Sequence, residues 1–121
     1  MPSNIAAMVR MWMAKPQKMC GKHLRAEYAE CLMIAGLMKK RRRLDGWLEH
    51  NCIEPKSVVR RFAQLKNEML ARGYNATKSL KSVSMGYLPK AQQGWKIDRK
   101  ANLLLLAKRC PACRRKIKGK I

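Results

Sequence analysis

Two groups of residues in this 121-residue chain have the types and spacing to do chemistry. The first lies in the run Lys22 to Leu32, KHLRAEYAECL, where Glu27 and Glu30 stand three residues apart beside His23. Seven acids face 28 lysines and arginines, so two acids placed together call for a reason. A carboxylate beside a reacting carbon could stabilise developing positive charge and move protons. The alternative is a helix surface where both acids pair with Lys22, His23 or Arg25, contributing roughly 0.2–0.5 kcal/mol per pair. The second group is Cys110-Pro-Ala-Cys113, the one close pair among five cysteines. It could supply half of a zinc set, but zinc needs four ligands. A second CxxC is absent, and Cys20, His23, His50 or Cys52 would complete the set only through tertiary placement. The expectation is free thiols packed against the last helix, with no metal and no other cofactor. No Gly-rich phosphate loop, Ser-His-Asp set or HExxH motif occurs.

The elements that must position these residues read as helices. The apolar content is 47%, too high for a disordered basic tail, and leans on Met and Leu instead of β-branched and aromatic residues. At about 3.6 residues per turn, Leu24, Tyr28, Cys31, Leu32, Ala35 and Met38 share one face of a helix over about 21–40. His23, Glu27 and Glu30 then fall within an arc of roughly 60° at the edge of that stripe, outside the core. Lys39 to Arg43, KKRRR, reads as a solvated helix end that complements the helix dipole, and the Asp45-Gly46 that follows reads as a turn. Glu54-Pro55 opens a second helix with the stripe Val58, Phe62, Leu65, Met69, closed by Gly73. Residues 74–94 carry Gly86, Pro89 and Gly94 as breakers and read as irregular. Asp98 caps a third helix over about 99–109, in which Leu103 to Leu106 read as buried. The fold class is therefore all-α: a small single domain of about three helices with a long irregular segment before the last. Its organisation reads as an N-terminal extension over 1–8, a helical domain over 9–110 and a basic C-terminal tail over 111–121. Trp12, Trp47 and Trp95 read as packing residues, although tryptophans can also stack on bases.

A formal charge of +21 points to an anionic partner, and nucleic acid fits best. Phosphate contacts give affinity without reading bases, so the charge carries no sequence preference. No apolar run spans a bilayer, and the expectation is a soluble protein without a membrane partner. An odd cysteine count without a secretory signal fits a reducing compartment, the cytoplasm, nucleoid or nucleus, with a virion or organelle also open.

The run His23-Leu-x-x-Glu-x-x-Glu30 resembles the pyrimidine-dimer DNA glycosylase family of the phage endonuclease type. The similarity extends to MVRMW (Met8 to Trp12), to GWLEHNCIEPKSVVRRFAQLKNEMLARGYN (Gly46 to Asn75), and to the ending RCPACRRKI. The resemblance implies a compact helical domain that grips bent duplex DNA, with an α-amine that attacks C1′ of the damaged nucleotide. It also implies a glutamate on the first helix that assists, and β-elimination after loss of the base. Carried over by motif, that glutamate is Glu30, and the amine belongs to Val9 when Val9 begins the chain. Arg10, Lys22 and His23 fall where family members face DNA. An α-amine suits the task because its pKa is about 8 against about 10.4 for lysine, leaving far more of it neutral and nucleophilic.

The chain also departs from that pattern. MPSNIAA precedes Met8, and with those residues attached Val9 carries only a peptide nitrogen, which cannot form a Schiff base. Ala29 and Met33 stand where the phage-type enzymes resemble one another in having phosphate-contacting arginines. Bulk charge is added instead at Arg41, Arg42 and Arg43 and at Arg114, Arg115 and Lys116, all expected to meet nucleic acid. The two readings are a glycosylase with abasic lyase activity, and a non-catalytic basic protein on DNA or RNA inside a larger assembly with other proteins.

Overall fold

A 19-residue helix, α1 (Gly21–Lys39), forms the spine of the computed structural model, which describes residues 10–118. Its first turn is capped by the Cys20 side chain, which accepts from the His23 N–H. Leu24, Tyr28, Cys31, Ile34, Ala35 and Met38 are buried along one face, at the spacing the sequence predicts. The helix stops where the Lys40 N–H bonds back to the Gly36 carbonyl and Arg41 turns left-handed (φ 55°). Asp45-Gly46, read as a turn, instead starts a short helix, α2 (Asp45–Glu49), with the aspartate in its positive first turn.

The main partner of α1 is α3 (Val58–Ala71), which follows a 3-10 turn at Pro55–Ser57. Val58, Phe62, Leu65 and Met69 are buried as expected, and the Tyr28 and Phe62 rings stack at 4.7 Å between centroids. Two glycines fix this pair. Gly73 takes φ 84°, the left-handed position that lets the Tyr74 N–H reach the Met69 carbonyl at 2.9 Å and the Gly73 N–H reach Leu70. Tyr74 then lies over the start of α1, where a Cβ on Gly21 would meet its hydroxyl at 2.1 Å. Residues 74–89 run without regular structure, as expected, but are tied down: Tyr28 Oη accepts from the Lys78 N–H, and Tyr87 donates to the Arg42 carbonyl. A one-turn helix, α4 (Lys90–Gln93), interrupts the segment near its end.

Asp98 caps α5 (Arg99–Arg109) by accepting from the Ala101 N–H at 3.0 Å. The four-leucine run within it is not buried as a block: Leu106 is inside and Leu104 is 62% exposed, because one face of a helix packs while its neighbours turn outward. The basic segment expected to be a tail forms α6 (Pro111–Lys118), which turns back beside α5 with Cys113 buried. Among the described residues there is no strand, and no helix is long and apolar enough to cross a membrane.

Candidate functional site

The two acids of α1 lie in different surroundings. Glu27, expected at the edge of the stripe, is 0% exposed, a correction that follows from Arg61 of α3. The Arg61 guanidinium donates Nε to Glu27 Oε2 at 2.6 Å and Nη2 to Oε1 at 2.9 Å, a fork-on-fork pair inside the helix interface. Nη2 also reaches Met19 Sδ, and Nη1 reaches Gln64. The pairing with Lys22, His23 or Arg25 weighed from sequence is therefore not the one made. Glu30, one turn later, is half-buried, and its Oε2 is shielded from water with no hydrogen-bond partner among the described residues. Burial, then the neighbouring Glu27 charge, push its pKa up to about 7.

The segment from Arg10 to Trp12 lies beside this region. Met11 donates its N–H to the Cys52 carbonyl at 2.6 Å. Burial raises the Cys52 thiol pKa, while Arg10 and Arg109 pull it down and Glu30 adds to the rise, so these three charges surround one side chain. Asn102 of α5 fixes the arrangement. Its Oδ1 accepts from Arg10 Nη1 at 3.1 Å, and its amide nitrogen donates to the carbonyls of Met11 and Asn51. Arg10, expected to face nucleic acid, is 5% exposed and leans on the Trp12 ring at 5.3 Å. Val9 lies outside the described residues.

The other cations expected to bind nucleic acid are spread over the surface. Lys22 is exposed, as are Arg41, Arg42 and Arg43, the last paired with Asp45 at 2.6 Å. On α6, Arg115 and Lys116 are exposed, and Arg114 donates to the Ala107 carbonyl. A cleft of about 700 Å³ lined by Lys15, Arg60, Arg61 and Arg99 does not include Glu30.

His23 turns away from solvent into a group the sequence could not assemble. Its Nδ1 lies 3.3 Å from Cys20 Sγ and 3.7 Å from Cys113 Sγ, and Cys20 Sγ lies 3.8 Å from Cys110 Sγ. All four donor atoms fall within 4.8 Å of one another. The thiols of Cys110 and Cys113 do pack beside α5, but against Cys20 and His23 at the start of α1.

Sequence reasoning missed Arg61 and Asn102, and weighed Cys52 only as a metal ligand, whereas it lies outside the Cys–His group and near Arg10 and Glu30. Arg61 sits directly before Phe62 on the apolar stripe of α3, and that misplaced charge was the available signal. The sequence pattern of a protein family described as pyrimidine dimer DNA glycosylase matches residues 9–82, more than half of the chain. The match contains α1 to α3 with both glutamates, and ends before α4. No curated protein and no solved structure gives a significant match.

Proposed function

Because the chain belongs to the pyrimidine dimer DNA glycosylase family, we propose that it excises damaged pyrimidines from DNA and cleaves the abasic product, using the α-amine of Val9 as nucleophile and Glu30 as proton carrier. The observation that carries this reading is Glu30 itself, a carboxyl with pKa near 7 and an oxygen left without a partner among the described residues. A group that titrates near neutrality can give a proton and take one back in the same cycle.

The amine lone pair bonds C1′ while the C1′–base bond breaks, and the base departs with that electron pair and gains a proton. The ring then opens: the C1′–O4′ bond breaks, O4′ takes a proton from Glu30, and the nitrogen loses its own to leave a Schiff base. The Glu30 carboxylate next removes a C2′ proton, and the C3′–oxygen bond breaks to release the 3′ phosphate. An amine at Val9 requires that residues 1–8 be absent from the active chain. Lys22, Arg41 to Arg43 and Arg114 to Lys116 supply sequence-blind phosphate contacts.

The second reading, a non-catalytic polyanion clamp, is favoured by Ala29 and Met33, both exposed on α1 where the phage-type enzymes carry phosphate-contacting arginines. Borohydride trapping on ultraviolet-damaged duplex DNA separates the two. The chain beginning at Val9 is expected to form a covalent adduct, the chain beginning at Met1 none, and Glu30→Gln to lower the trapped fraction by about a hundredfold or more. No adduct from the Val9 chain, with duplex binding intact and lost steeply as salt rises, leaves the clamp.

A further inference from the structure

We propose that Cys20, His23, Cys110 and Cys113 form a structural zinc site that fastens the α5–α6 corner to the first turn of α1. Zinc sits about 2.3 Å from thiolate sulfur and about 2.0 Å from imidazole nitrogen, so a tetrahedral site has ligand–ligand edges of about 3.5–3.8 Å. Three of the six edges here are 3.3, 3.7 and 3.8 Å, and all four donors lie within 4.8 Å of one another. A disulfide demands about 2.05 Å between sulfurs, and an iron–sulfur cluster needs its sulfurs spread around several irons; neither describes four donors around a one-ion space.

Three further features suit a metal. Each half contributes two ligands with two residues between them, the N-cap Cys20 with His23 in the first turn of α1, and Cys110 at the end of α5 with Cys113 in the first turn of α6, so two helix starts converge on one point. Backbone N–H groups already point at all three sulfurs: His23 to Cys20 at 3.4 Å, Cys20 to Cys113 at 3.2 Å and Cys113 to Cys110 at 3.3 Å. Such donors stabilise thiolates and orient them. The Trp12 ring meets the His23 imidazole edge-on at 5.9 Å between centroids and shields one side of it. Three thiolates and Zn2+ carry a net charge of −1, complemented by Lys22 and Arg109, whose charges reach His23. Because Cys110 and Cys113 lie beyond residue 82, the site joins the family-matched segment to a part of the chain outside it. Fastening α6 there ties the element that carries Arg114, Arg115 and Lys116 to the first turn of α1. This inference stands whether or not the glycosylase reading does.

The full chain, purified reduced and dialysed against ZnCl2, should retain one zinc per chain by elemental analysis and native mass spectrometry. CoCl2 in its place should give the visible bands of tetrahedral cobalt and a thiolate charge-transfer band, both abolished by added zinc. Cys113→Ser should lose the metal. Because serine at that buried position can unfold the corner by itself, His23→Cys is the second variant: it should keep one metal and raise the charge-transfer intensity by about a third, as three thiolates become four. A reduced wild-type chain that takes up neither metal, or a His23→Cys variant with unchanged bands, overturns the site.

Discussion

The two sides of α1 are held together by different means. Toward α3 the contact is apolar, with Leu24, Tyr28, Phe62 and Leu65 buried and the Tyr28 and Phe62 rings stacked, and the buried acid Glu27 is neutralised by a two-point bond from Arg61. Toward the segment at Arg10 to Trp12 and α5 the contact is polar and discrete, resting on Asn102, on the Met11–Cys52 bond and on the Cys–His group, with Glu30 lacking a partner among the described residues. Stability is concentrated on the first side. The second keeps a carboxyl oxygen without a partner among the described residues, at a raised pKa, the kind of perturbed group that marks functional sites.

The largest effect should come from breaking the well-satisfied side. Arg61→Ala leaves the Glu27 carboxylate buried without its partner, and loss of one member of a buried pair costs about 3–5 kcal/mol. Urea denaturation should show that loss as a lower midpoint, while the paired change Glu27→Leu with Arg61→Met should recover most of it. A small effect of Arg61→Ala would mean that the ion pair does not anchor the α1–α3 interface.

The polar side should respond less. Asn102→Ala removes one acceptor and two donor contacts, from Arg10 and to Met11 and Asn51, and should cost about 1–3 kcal/mol. Hydrogen exchange should then rise at Met11, whose N–H is held by Cys52, and stay unchanged in α3. Equal loosening of α3 would show that the two sides are one cooperative unit and not two.

The same contrast sets what could be read from sequence. Local signals sufficed for the three main helices: Asp98 at a cap, Pro55 at a start, Gly73 at a left-handed stop, and stripes at helical spacing all act within one turn of the residue concerned. Glu27 was misread because its partner is 34 positions away, and helical periodicity places a residue on a face without saying what that face meets. The Cys–His group fails to show for the same reason, since Cys20 and Cys110 are 90 positions apart. Charge misled in α6, where RRKIK looked like a solvated tail although Cys113 and Ile117, four apart, give it a packed side. Glu30 stood out as an acid beside Glu27 in a basic chain and took its role from the family's motif, but nothing in its own neighbourhood in the sequence foretold its buried oxygen.

The smallest effect is the one that bears most directly on function. Glu30 has a pKa of about 7 against an ordinary 4.5, so the folded protein holds its proton more tightly than the unfolded chain. That linkage contributes stability in full below pH 4.5 and loses it as pH rises through 7, where the ionised carboxyl sits poorly solvated beside Glu27. Glu30→Gln removes the ionisation and should melt with wild type at pH 4, yet be more stable by about 1 kcal/mol at pH 8, a value reduced for partial access to water. Calorimetry at the two pH values reads the difference. A Gln variant less stable at pH 8 would mean that the ionised carboxylate has a partner in the resting protein, and an acid already satisfied there has no free oxygen with which to move a sugar's protons.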